Sequence, residues 1–147
     1  VPKDDTAVAA IADLGKSGVK VVLAARSVPV GAYARQTFAN LAKDRAYGGD
    51  FASRVQANVV SEETDVKAVA TKIALGEGDA GVVYATDVTP IAAKVRVLRF
   101  PPGAAPEAAY PIAALKSAPN ADGARAFVAF ITSPAGLAFL KARGFEE

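Results

Sequence analysis

The sequence predicts an α/β fold: a layered sandwich with a largely parallel sheet, on three observations. Compact, β-branched runs bounded by turn residues alternate with segments of helical periodicity five times along the chain. Apolar residues make up 52% of the 147 residues and charged residues 22%, the balance of an ordinary folded domain rather than of a disordered chain. A single seam, Pro101-Pro102-Gly103-Ala104-Ala105-Pro106, interrupts the pattern late in the chain, where neither a helix nor a central strand can continue.

Taken in order, Ala7 to Leu14 reads as a short helix with Val8, Ile11 and Leu14 on one side. Val19 to Ala24 is a strand, entered through the turn Lys16-Ser17-Gly18. Ser27-Val28-Pro29 leads into a helix from Val30 to Ala42, with Tyr33, Thr37, Phe38 and Leu41 at helical spacing. Gly48-Gly49 breaks the chain before a short helix over Phe51 to Val55, and Asn58-Val59-Val60 begins the next strand. Thr64-Asp65 offers an N-cap for a helix from Val66 to Leu75, which Gly76 closes. Ala80 to Tyr84 and Val95 to Phe100 read as two further strands. Beyond the seam the pattern predicts one strand, Tyr110 to Leu115, and two helices, Ala121 to Thr132 and Pro134 to Ala142. One strand and two helices are too few for a stable lobe, so this segment reads as part of a larger one.

Composition excludes much chemistry. With no His there is no histidine base and no Ser-His-Asp triad; with no Cys there is no thiol nucleophile, disulfide or thiolate metal site. Seventeen basic residues against fifteen acidic give a net charge of +2, without the basic footprint of a nucleic-acid binder. No apolar stretch approaches the roughly 20 residues of a membrane span. The chain starts at Val1 without Met, as a processed or trimmed chain would.

Carboxylates, hydroxyls, Lys and backbone amides remain. Glu62-Glu63 with Asp65 is an acidic cluster of the kind that can do acid/base work, but it reads better as a solvated turn leading into a helix start. Asp79 and Asp87 read as turn and cap residues. Gly76-Glu77-Gly78-Asp79-Ala80-Gly81 follows a helix and precedes a strand, the reverse of a phosphate-binding glycine loop. Two helix starts are more informative, because a helix N-terminus presents unpaired N–H groups and a partial positive charge. One opens at Val30 after Pro29 and the other at Val66 after Asp65, both beyond the carboxyl ends of strands, where ligands of such sheets bind. Tyr84 ends its strand at the same edge and carries a hydroxyl donor. Most helix starts bind only water, so the physics by itself leaves an anion site open.

Val28-Pro29-Val30-Gly31-Ala32-Tyr33-Ala34 resembles the VPAGxYA motif of the molybdate-binding proteins that serve ABC importers. Asp65-Val66-Lys67-Ala68-Val69 followed by Gly76 to Tyr84 is similar to that family's second block, and Tyr110-Pro111-Ile112-Ala113 with Gly144-Phe145 to its closing segments. The resemblance covers nearly the whole chain, in order and at the family's spacing.

It implies a periplasmic-binding-protein type II-like three-layer αβα sandwich, with one complete lobe plus part of the other. On that mapping residues 1–4 are a crossover strand, 5–100 the second lobe, 101–109 a crossover and 110–147 the C-terminal part of the first lobe, whose N-terminal segment lies outside this chain. The resemblance further implies a tetrahedral oxyanion, molybdate or tungstate, held by neutral donors: the Val30 and Val66 amides and the Tyr84 hydroxyl. Val30 stands where the family usually has Ala, which a backbone donor tolerates. No catalytic residue and no cofactor are implied, and molybdenum or tungsten enters only within the oxyanion. The implied setting is the periplasm or cell envelope, with the signal peptide removed, and the implied partners are the importer's membrane subunits and no nucleic acid. The aromatic-rich final helices lack partners in this chain, which predicts an apolar patch and self-association. The alternatives are a sulfate, thiosulfate or phosphate binder on the same architecture, or an effector-binding regulatory domain of related fold.

Overall fold

The computed structural model describes residues 1–145 and divides into two compact units, Val1–Pro106 and Glu107–Glu147. In the first, strands β1 (Val21–Ala24), β2 (Val59–Glu63) and β3 (Ala80–Gly81) form a wholly parallel sheet in the order β2-β1-β3. Helices α1 (Pro29–Leu41), α2 (Phe51–Ala57) and α3 (Val66–Ala74) connect the strands. The result is a mixed α/β fold with a parallel sheet flanked by helices.

The central strand shows how the layers arise. All four residues of β1 are buried, and successive side chains point to opposite faces. Val21 and Leu23 pack with Ala34, Phe38, Leu41, Phe51 and Val55 of α1 and α2. Val22 and Ala24 pack with Val69 and Ile73 of α3. Phe38 meets Phe51 edge to face at 6.3 Å, which joins α1 to α2 across the first core.

Several sequence expectations change. The predicted helix over 7–14 is a 3-10 turn over Ile11–Gly15. Carboxylates claim the amides ahead of it: Asp13 accepts from Ala9 (2.9 Å) and Ala10 (2.8 Å), and Asp5 accepts from Ala7 and Val8. Strand β2 is longer than expected and runs through the acidic pair. Register jumps from Val21↔Val59 to Val22↔Ser61, so Val60 bulges out and is 58% exposed. Glu62 and Glu63 are therefore strand residues, not a solvated turn. They face opposite ways, Glu62 to Arg35 of α1 and Glu63 to Lys72 of α3 at 2.8 Å.

The third strand is shorter than Ala80 to Tyr84, because the chain leaves the ladder after Gly81 and enters α4 (Ala85–Val88) and a 3-10 turn over Thr89–Ile91. Val95 to Phe100 is not a strand. Only Val95 bridges, antiparallel to Pro2, flanked by Lys3 N–H to Lys94 O (2.9 Å) and Arg96 N–H to Val1 O (2.9 Å). The apolar residues of this segment serve packing instead: Leu98 and Phe100 lie against the first core, and Phe100 meets Phe38 at 6.3 Å.

The second unit holds α5 (Ala121–Ile131), capped by Asn120 on the Gly123 amide at 2.8 Å, and α6 (Pro134–Lys141), capped by Ser133. The predicted strand Tyr110 to Leu115 is irregular. No strand occurs in this unit among the described residues, and an isolated strand has no ladder partner. Phe127, Phe130 and Phe139 are each more than half exposed. No single helix among the described residues is long and apolar enough to cross a membrane. Glu146 and Glu147, the end of the predicted 110–147 segment, lie outside the described residues.

Candidate binding site

The first expected donor comes from the start of α1. Pro29 occupies its first position and has no N–H, so Val30 carries the first amide of the helix. The residue before it, Val28, caps through no side chain, and the ladder begins only at Ala32 N–H to Val28 O (3.1 Å). The amides of Val30 and Gly31 thus precede the first helical bond. Residues 24 and 25 at the end of β1 lie directly beneath this turn. A Cβ on Gly31 would fall 2.2 Å from the Ala25 carbonyl oxygen and 2.3 Å from that of Ala24, distances no side chain tolerates.

The second comes from α3. Asp65 is extended and its carboxylate accepts from the Ala68 amide at 2.9 Å, which leaves the Val66 amide at the helix mouth uncapped. The third residue, Tyr84, lies three positions past the last paired residue of β3. Its main chain is extended, and its amide donates to the Asp87 carboxylate at 3.2 Å. Burial lifts the Asp87 carboxyl above its ordinary range, while the Tyr84 amide and the Lys67 charge pull the other way.

The fold brings all three residues together. Val30 belongs to the apolar cluster formed by Val22, Ala24, Val69 and Ile73, and Val66 and Tyr84 pack against that same cluster. Val30 is 2% exposed, and its side chain is one of the members that build this cluster. The starts of α1 and α3 and the Tyr84 side chain thus meet at one cluster that includes Ala24, the last residue of β1. The nearby carboxylates are engaged as caps, Asp65 on Ala68 and Asp87 on Tyr84, as Asp79 is on the Lys20 amide at 2.7 Å. Among the described residues no three His, Cys, Asp or Glu side chains are grouped to hold a metal ion.

Sequence reasoning passed over Arg35. Its side chain, 11% exposed, donates to the carbonyls of Ala24 (3.0 Å) and Gly31 (2.9 Å) and to Gln56 (3.2 Å), and pairs with Glu62. An arginine on a helix carries no local signal that it will reach back to a strand end. Gly31 did carry one: Pro29-Val30-Gly31 recurs as Pro134-Ala135-Gly136 at the start of α6. There a Cβ on Gly136 would lie 2.2 Å from the Phe130 carbonyl oxygen. In both, a proline opens the helix and a glycine lets it press on the preceding backbone.

Residues 1–146 match the family described as bacterial extracellular solute-binding proteins. The chain is 37% identical over 136 residues to the molybdate-binding protein ModA of Mycobacterium bovis, and equally to that of Mycobacterium tuberculosis. The match covers 92% of this chain and 48% of each relative, so the chain spans about half the length of the curated relatives it matches. Among solved structures it superposes on a substrate-binding domain of a molybdenum ABC transporter from Clostridium difficile, with a TM-score of 0.69 and 22% identity. That superposition covers 95% of this chain and 58% of the other, and shows a shared fold.

Proposed function

Because the chain belongs to the bacterial extracellular solute-binding protein family, we propose that it binds molybdate or tungstate outside the cytoplasmic membrane and delivers the oxyanion to an ABC importer. The observation that carries this reading is that Val30 and Val66, each at a helix start without a side-chain cap on its own amide, and Tyr84 belong to or pack against one apolar cluster that includes Ala24, the last residue of β1. The names of the ModA relatives support molybdate as the ligand.

The role of each residue follows from its setting. Val30 and Val66 donate main-chain N–H groups aligned with their helix dipoles, and Tyr84 donates its hydroxyl. Neutral donors hold a dianion without a fixed ion pair, so the ligand stays releasable to the transporter. Selection among tetrahedral dianions then rests on cavity size and donor geometry, which separates sulfate from the larger molybdate and leaves tungstate close to molybdate. The work is binding rather than catalysis, and no cofactor enters it. In this reading residues 5–100 form the second lobe of a two-lobed binding protein, with 1–4 and 101–109 as crossovers and 110–147 belonging to the first lobe. Its partners are the importer's membrane subunits. The exposed Phe127, Phe130 and Phe139 support self-association of this chain, which light scattering at tens of micromolar would read as a mass above the monomer's.

Thermal unfolding with millimolar molybdate, tungstate, sulfate and phosphate tests the proposal, since a ligand that binds only the folded state raises the midpoint. Molybdate and tungstate raise Tm and sulfate does not. A rise with sulfate or phosphate alone overturns the choice of substrate.

A further inference from the structure

We propose that Tyr33 is the positioning residue for the Tyr84 hydroxyl. Helix α1 would then supply one donor directly, through Val30, and orient a second through an aromatic contact. The inference rests on the reading of Tyr84 as a ligand group and adds to it a residue that neither the helix-mouth geometry nor the comparisons assign.

Tyr84 stands where the sheet no longer holds it. The β1–β3 ladder pairs Val21 with Ala80 and Val22 with Gly81 and goes no further. Asp87 accepts from the Tyr84 amide, and the Tyr84 side chain packs against the cluster of Val22, Ala24, Val30, Val69 and Ile73. The ring of Tyr33 meets that of Tyr84 edge to face, with centroids 6.5 Å apart and planes at 71°. This geometry is directional, because the positive edge of one ring seeks the negative face of the other.

The helix carrying Tyr33 is itself fixed to the strand end. Arg35, two residues on, bonds the Ala24 and Gly31 carbonyls, and Gly31 lets the first turn press on that strand. The Tyr33 carbonyl accepts the Thr37 hydroxyl at 2.8 Å. Val30 and Tyr33 are three residues apart on this one rigid element, so they lie on neighbouring positions of its surface. The Val30 amide and the ring that meets Tyr84 are thereby carried by a single helix. Contact with the ring edge needs no Tyr33 hydroxyl, so phenylalanine should serve in its place.

The test is calorimetric titration of the 147-residue chain with sodium molybdate, for the wild type and the variants Tyr33→Phe, Tyr33→Leu and Tyr84→Phe. A second reading comes from NMR of 13Cζ-tyrosine-labelled protein without anion, in which the chain's four tyrosines give few signals to assign. Tyr33→Phe should bind as the wild type does and leave the Tyr84 resonance in place. Tyr33→Leu should weaken binding about 3- to 10-fold, the range an aromatic edge contact supports, and shift that resonance. Added to Tyr84→Phe, it should cause little further loss. If Tyr33→Leu does not fold, Tyr33→Met makes the same comparison. Undiminished affinity and an unmoved resonance in Tyr33→Leu, with binding lost in Tyr84→Phe, would overturn the positioning role alone. Wild-type affinity in Tyr84→Phe, or no molybdate binding by the wild type, would overturn the site reading and the role of Tyr33 with it.

Discussion

The guanidinium of Arg35 lies 3.0 Å from the carbonyl oxygen of Ala24, so a helix side chain satisfies the last carbonyl of the central strand. The same nitrogen reaches the Gly31 carbonyl at 2.9 Å, which ties the mouth of α1 to the strand beneath it. The cation is spent on structure: Glu62 balances its charge and three acceptors occupy its donors. A donor site beside it can stay neutral while its geometry is held by an ion.

Arg35→Met keeps the length of the side chain and removes the bonds. It leaves the Ala24 carbonyl and the Glu62 carboxylate without this partner, at a loss of about 1–3 kcal/mol by urea unfolding. Molybdate affinity should fall with it, because the α1 mouth loses its anchor to β1.

Gly31→Ala places a methyl group against two backbone carbonyls that cannot swing aside. The expected loss is about 1–3 kcal/mol or more, read as a lowered unfolding midpoint. Gly49→Ala is the control, since nothing lies within 4 Å of its added Cβ, and its midpoint should stay at the wild-type value.

Asp65→Ala removes the cap on the Ala68 amide and should cost about 1 kcal/mol, while Asp65→Asn should retain most of the stability. Both variants keep the Val66 amide in sequence. A loss of molybdate affinity larger in Asp65→Ala than in Asp65→Asn would show that ordering of the first turn of α3 matters to the ligand.

Glu63 is held below the ordinary glutamate value of 4.5, first by its hydrogen bond from Lys72 and next by that from Ser61. A carboxyl with a lowered folded-state pKa adds stability above its unfolded value, and the gain fades as pH falls through the folded one. Glu63→Gln should therefore lower Tm at pH 7 and lose less than the wild type as pH drops below 4.5. Melting curves at pH 7 and pH 3 for the two proteins check this.

Phe51→Ala opens a cavity at a fully buried ring that touches Phe38 and Tyr47, and should cost about 3–5 kcal/mol by urea unfolding.

The longer helices were legible because their signals are local, such as Pro29 opening α1 and Asp65 capping α3, whereas the short helix expected over 7–14 is a 3-10 turn. Strands were less so, because a strand exists only where a partner pairs with it. Val95 to Phe100 and Tyr110 to Leu115 have the composition of strands and form none, while Glu62 and Glu63 have the look of a turn and lie in strand β2.

By itself, then, the sequence determined an α/β chain with helix starts beside Val30 and Val66 and no histidine or thiol chemistry, since composition, caps and proline act within a few residues. Tertiary structure alone decided that those mouths and Tyr84 share one cluster, that Arg35 belongs to the end of β1, and that Tyr33 meets Tyr84 across fifty residues of chain. These contacts join residues far apart in sequence, and only the packing of α1 and α3 on opposite faces of β1 brings them within reach.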